Sequence, residues 1–164
     1  GPVRYRSWGE VLPHLPRGAE ANVEELRHAY RVPREIMELA LPLLEDIAPD
    51  VAPPIAYRTG AAPPVLRRVD EEHLLVEAFR SAANAPDGLA AVILPEELAE
   101  NVPSGELVPV LTPREAKGLE FDHVVVVEPA LIPPRDLYVA LTRPTKTLVV
   151  LHARDLPPRL AVRR

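Results

Sequence analysis

The run HVVVV, from His123 to Val127, constrains the fold more than any other stretch of the sequence. A strand with one wet face alternates apolar and polar residues, whereas a strand buried on both faces reads as an unbroken Val/Ile/Leu run. A strand of the second kind needs cover above and below. That calls for a sheet layered between helices. The chain has 164 residues, enough for one such domain, and 47% of them are hydrophobic, enough for its core.

The segments around this strand alternate in type. Helices are expected over Ser7–Leu15, with Ser7 as N-cap, and over Pro33–Ala48, with Ile36, Leu39, Ala40, Leu43, Leu44 and Ile47 on one face and Pro42 as a kink or a split. Glu20–Tyr30 carries apolar residues at mixed spacing. Val51–Pro64 reads as a proline-rich connection, with Arg58 in a turn. Strands are expected at Val65–Val69, Leu89–Leu94, Leu107–Leu111, His123–Val127 and Thr147–Leu151. Between them fall helices at Asp70–Ala83, with Asp70 as N-cap and Leu74, Leu75, Ala78 and Phe79 inward, at Pro95–Glu100 and at Arg135–Arg143. Strands alternating with helices predict a parallel α/β sheet. Twenty-one prolines, four pairs among them, punctuate the connections.

Composition excludes several functions. There are no cysteines, so disulfides, thiolate-bound zinc and thiol catalysis are ruled out. The five histidines show no metal-ligand spacing, so no metal site is expected. No apolar run is long enough to span a bilayer, and a cytoplasmic protein without a membrane partner is expected. The net charge of −5 does not suggest a free-standing nucleic-acid binder, although a local basic groove fits within an acidic domain.

Three segments carry the chemistry: LRHAYRVPREI (Leu26–Ile36), TPREAKGLEFDHVVVV (Thr112–Val127) and LYVALTRPTKTL (Leu137–Leu148). Read singly, each has a plain structural reading. Lys117-Gly118 fits a helix C-cap with glycine in the left-handed region. Glu120 fits a surface carboxylate, Tyr30 a packing residue and Thr142 a helix end. Arg143 fits a cation at a helix C-terminus. The other reading of Arg143 is a charged tip held rigidly at a domain edge, as an arginine finger requires.

Together and in this order, the three segments resemble motifs of the second RecA-like domain of UvrD/Rep-like superfamily-one DNA helicases, from about Trp8 to about Pro158. The resemblance implies an α/β fold of the RecA-like, P-loop NTPase type, a parallel sheet flanked by helices. Arg31 and Arg143 match arginines that contact the γ-phosphate and are the implied catalytic residues. Glu120 matches a glutamate that contacts the nucleotide ribose, and Lys117 and Gly118 match the turn that shapes its loop. Thr112 and Arg114 match nucleic-acid contacts, with Arg114 standing where the family has histidine. Pro144 stands where the family usually has alanine.

The sequence contains no Gly-x-x-x-x-Gly-Lys-Ser/Thr, the loop that cradles phosphates and places magnesium. Residues 1–164 are therefore expected to be the single C-terminal RecA-like domain of a larger ATPase, inactive alone. The implied cofactor is ATP, with magnesium supplied through a first, N-terminal RecA-like domain of the same protein. The span from Val69 to Thr112 leaves no room for the large subdomain inserted in many relatives. That, with KGLEFD and LYVALTR, resembles the HelD-like branch. The implied partners are single-stranded DNA or bacterial RNA polymerase. The alternative function is an RNA-polymerase-binding module in which ATP contacts are regulatory or vestigial.

Overall fold

The computed structural model describes residues 31–52 and 59–161. The expected helix at Ser7–Leu15, the Glu20–Tyr30 segment and Arg58 lie outside the described residues.

Five strands form one sheet: β1 (Val65–Arg68), β2 (Ala90–Ile93), β3 (Val110–Leu111), β4 (Phe121–Val127) and β5 (Pro144–His152). The order across the sheet is β1-β5-β4-β2-β3, and every pairing is parallel. This is the parallel α/β sheet that the alternation of segments predicts, and it agrees with the RecA-like fold that the resemblance implies. The central place of β4 explains its sequence. Val124, Val125, Val126 and Val127 are all buried, on alternating faces. Removing a valine side chain from water stabilises by roughly 1.5–3 kcal/mol, so a polar substitution anywhere in this run is unfavourable.

One face of the sheet is covered by α1 (Arg34–Ala40), α2 (Leu44–Ile47), α5 (Pro113–Ala116), α6 (Pro134–Leu141) and α7 (Pro158–Ala161). The other is covered by α3 (Leu74–Ala83), which packs on β2, β4 and β5, and by α4 (Glu96–Ala99). The expected split at Pro42 is present: a 3₁₀ turn at Leu41–Leu43 separates α1 from α2. Proline there removes one helical N–H and crowds the preceding turn. Both pieces still direct Ile36, Leu39, Ala40, Leu43 and Leu44 into the core.

Several boundaries differ from the sequence reading. The strand expected at Leu107–Leu111 shrinks to Val110–Leu111, and Leu107 is 94% exposed. Edge position accounts for this, since among the described strands β3 pairs with β2 alone. Asp70 makes no capping bond, and a 3₁₀ turn at Glu71–His73 precedes α3. The helix expected at Arg135–Arg143 ends at Leu141, while β5 begins earlier than expected, at Pro144. Proline is tolerated as the first residue of a strand. Between β1 and β3 the chain holds α3, β2, α4 and short connections.

Candidate functional site

The site residues sort onto two ends of the sheet. Leu111 pairs with Ile93, and Ile93 pairs with Val126, so Thr112 stands level with the C-terminal end of β4. Glu120 immediately precedes β4 at its other end. The strand is seven residues long, which at about 3.3 Å per residue separates the two levels by ~20 Å. Helix α5 and the loop that follows it bridge this distance.

At the far end, Thr112 is the N-cap of α5. Its hydroxyl accepts from the Glu115 amide at 3.4 Å, and the Glu115 carboxylate accepts from the Thr112 amide at 3.0 Å. This reciprocal capping box satisfies two amides that a helix start otherwise leaves open. The threonine hydroxyl therefore has a structural task, whatever else it contacts. Arg114, on the first turn of α5, is exposed.

At the near end, Lys117 closes α5 and Gly118 takes φ +82°. That conformation is one glycine adopts freely, and it makes these two residues the helix C-cap of the simpler reading. The turn directs Leu119 and Glu120 toward two arginines from distant parts of the chain. The Arg31 guanidinium donates to Glu120 Oε1 at 3.2 Å, across 89 positions of sequence. Arg143 Nη1 donates to the Leu119 carbonyl at 3.2 Å. Arg31, Lys117, Gly118, Glu120 and Arg143 therefore share one edge, where β4 and β5 start.

The two arginines differ in setting. Arg31 is exposed, with 57% of its side chain open to solvent. Arg143 is 0% exposed. It follows the C-cap residue Thr142 in the tight connection from α6 to β5. Its Nε donates to the Val139 carbonyl at 2.9 Å and its Nη2 donates to the Thr142 hydroxyl at 3.3 Å. Thr142 in turn donates to the Tyr138 carbonyl at 2.8 Å. The expected placement of Arg143 at the end of the helix is thus corrected. The helix stops two residues earlier, and the guanidinium turns back onto the Val139 carbonyl of the last turn and the Leu119 carbonyl of the loop before β4.

Other arrangements carry no signature in the sequence. Asp122 accepts from the Leu89 amide at 2.7 Å and lies 3.5 Å from Lys146. The amide bond, and then the lysine charge, hold its carboxyl below the ordinary range, against the opposing effect of desolvation. Gly88 passes so close that a Cβ there would lie 2.7 Å from Asp122 Oδ2. Buried His123 bonds Thr147 Oγ1 at 2.8 Å and the Asp87 carbonyl at 3.2 Å. At the C-terminal end of β4, Glu128 is buried with φ +53°, and its Oε1 accepts from the amides of Ala153 and Arg154. An open cleft of about 410 Å³ beside that turn is lined by Arg68, Val69, Asp70, Glu71, Ala153 and Arg154. It lies at the strand ends opposite the Arg31–Glu120–Arg143 edge and contains none of the residues expected to act.

Comparisons with known proteins agree with the architecture. Residues 66–152, a little over half of the chain, match a family described as the viral superfamily 1 RNA helicase core domain. The matched span runs from within β1 to the last residue of β5. A crystal structure of the C-terminal domain of a possible DNA helicase from Lactobacillus plantarum WCFS1 superimposes with a TM-score of 0.52 and 19% identity. The superposition covers 80% of this chain and 92% of that one. No curated protein matches the chain. Among the described residues, no helix is long and apolar enough to cross a membrane.

Proposed function

Because the chain belongs to the viral superfamily 1 RNA helicase core-domain family, we propose that it is the second RecA-like domain of an ATP-driven helicase or translocase, completing a nucleotide site between two such domains. The observation that carries this reading is the shared edge. Arg31, Glu120 and Arg143 come from three separate motifs, yet the Leu119–Glu120 dipeptide contacts both arginines.

The donor set suits one side of a nucleotide. Arg31 presents an exposed planar cation of the kind that pairs with phosphate oxygens. Glu120 presents acceptor oxygens for ribose hydroxyls. Arg143 is buried against the Leu119 carbonyl and would meet a phosphate only after exchanging that bond. ATP, when bound, supplies the phosphoryl group that is transferred to water. This chain's part is to neutralise charge on that group, a contribution worth roughly 10³–10⁵ in rate where an arginine finger acts. On this reading a first RecA-like domain supplies the phosphate-cradling loop and the magnesium ligands.

At the opposite strand ends, Arg114 and the start of α5 are the proposed nucleic-acid contacts. Loop Lys117–Glu120 follows α5 directly, so a shift at either end is passed to the other through one short helix. Nucleotide state would in this way bias domain position, a two-state motion shifted by differential contacts. The compact span between β1 and β3, with KGLEFD and LYVALTR, supports a HelD-like member.

The test is ATP hydrolysis by the full-length protein, with and without single-stranded DNA or RNA. Stimulation by a strand supports the translocating motor and identifies its track. Turnover indifferent to both strands, but altered by RNA polymerase, would replace it with the polymerase-directed function.

A further inference from the structure

The acid at the proposed nucleotide edge already occupies the arginine that a phosphate needs. Glu120 Oε1 lies 3.2 Å from Arg31 Nη1. A carboxylate and a phosphate present similar oxygen pairs to a guanidinium fork. Both side chains reach solvent, at 57% and 27% exposure, so a ligand can approach the pair. A single ion pair that solvent reaches is weak, so exchange of this one contact for a better acceptor costs little. The turn is open on its glycine side: among the described residues nothing lies within 4 Å of where a Cβ of Gly118 would stand. The neighbouring Leu119 carbonyl holds Arg143, so displacing Glu120 disturbs the second arginine's contact as well.

We propose that Glu120 is a surrogate anion, a positioning residue that holds Arg31 at the nucleotide edge until a phosphate displaces it. Displacement frees the carboxylate to turn toward the nucleotide's hydroxyls. One residue then takes two positions in sequence, and the second is available only after phosphate has reached Arg31. This rests on the proposed function, specifically on Arg31 as a phosphate contact.

Magnesium tripolyphosphate separates the two roles, because it carries phosphates and no ribose. Its affinity for the full-length ATPase is measured by titration calorimetry at low salt, for wild type, Glu120→Gln, Arg31→Ala and the double variant. Loss of an exposed pair that competes with the ligand should tighten binding roughly twofold to fivefold in Glu120→Gln. The gain should disappear in the Arg31→Ala background and shrink as salt is raised. Unchanged or weaker binding in Glu120→Gln overturns the proposal. So does a gain that persists without Arg31, which would be a general effect of removing negative charge. If Arg31→Ala alone leaves affinity unchanged, the phosphate role of Arg31 fails, and the surrogate fails with it by a visibly different route.

Discussion

Replacing Arg143 with alanine should damage the fold before it damages any reaction. The guanidinium is 0% exposed and donates to the Val139 carbonyl, the Leu119 carbonyl and the Thr142 hydroxyl. Hydrogen bonds from a charged group contribute about 1.5–3 kcal/mol each, though not additively. Each buried acceptor left without its donor costs roughly 1–3 kcal/mol. We therefore expect a loss of ~3–5 kcal/mol, a large share of the ~5–15 kcal/mol typical of a whole domain. Urea denaturation of the 164-residue chain, followed by circular dichroism, measures it. With a slope near 2 kcal/mol per molar, the midpoint should fall by about 2 M. Arg143→Lys keeps the charge but not the fork, and should fall between wild type and alanine. A loss below ~1 kcal/mol for alanine would refute the buried, carbonyl-bound placement. The practical consequence is that lost turnover in Arg143→Ala cannot by itself be read as a lost finger.

Gly88→Ala should cost about 2–4 kcal/mol, because φ +131° is strained for any side chain and the new Cβ meets Asp122 at 2.7 Å. Thermal melts check it, and Asp122→Ala should relieve only the steric part. The depressed carboxyl of Asp122 contributes stability above its unfolded value near ~3.9, lost as pH falls through the lower folded value. Acid titrations should therefore show a shallower fall in stability for Asp122→Asn than for wild type. Glu128→Ala removes the acceptor for two amides while keeping the left-handed backbone, and should cost ~1–3 kcal/mol. Glu128→Gly should recover about 1 kcal/mol of that by relieving φ, as read from the same denaturation curves.

The fold was legible where the physics is local. An unbroken run of β-branched valines fits an interior strand, and β4 lies in the middle of the sheet. Pro42 could only interrupt a helix, and it does. The ends of β3 and β5 were less legible because edge pairing and the tight turn at Thr142–Arg143 depend on neighbours brought in by the fold. The motif order correctly indicated a helicase-type domain, and the family match places the chain there. Burial of Arg143 could not be read from LTRP, since it depends on the Leu119 carbonyl arriving from another segment. Nor could the Arg31–Glu120 contact, which spans 89 positions. The Asp122–Leu89 bond and the close pass of Gly88 left no pattern to read, because one glycine in a DG turn looks like any other.

Arg31 offers the most direct test, because its exposed side chain can be removed without the structural cost expected at Arg143. Turnover of ATP by the full-length protein should fall by roughly 10³-fold or more in Arg31→Ala, while the unfolding free energy of the 164-residue chain, from urea denaturation, stays within about 0.5 kcal/mol of wild type. Unchanged turnover in a folded Arg31→Ala variant would contradict the claim that this edge completes a nucleotide site.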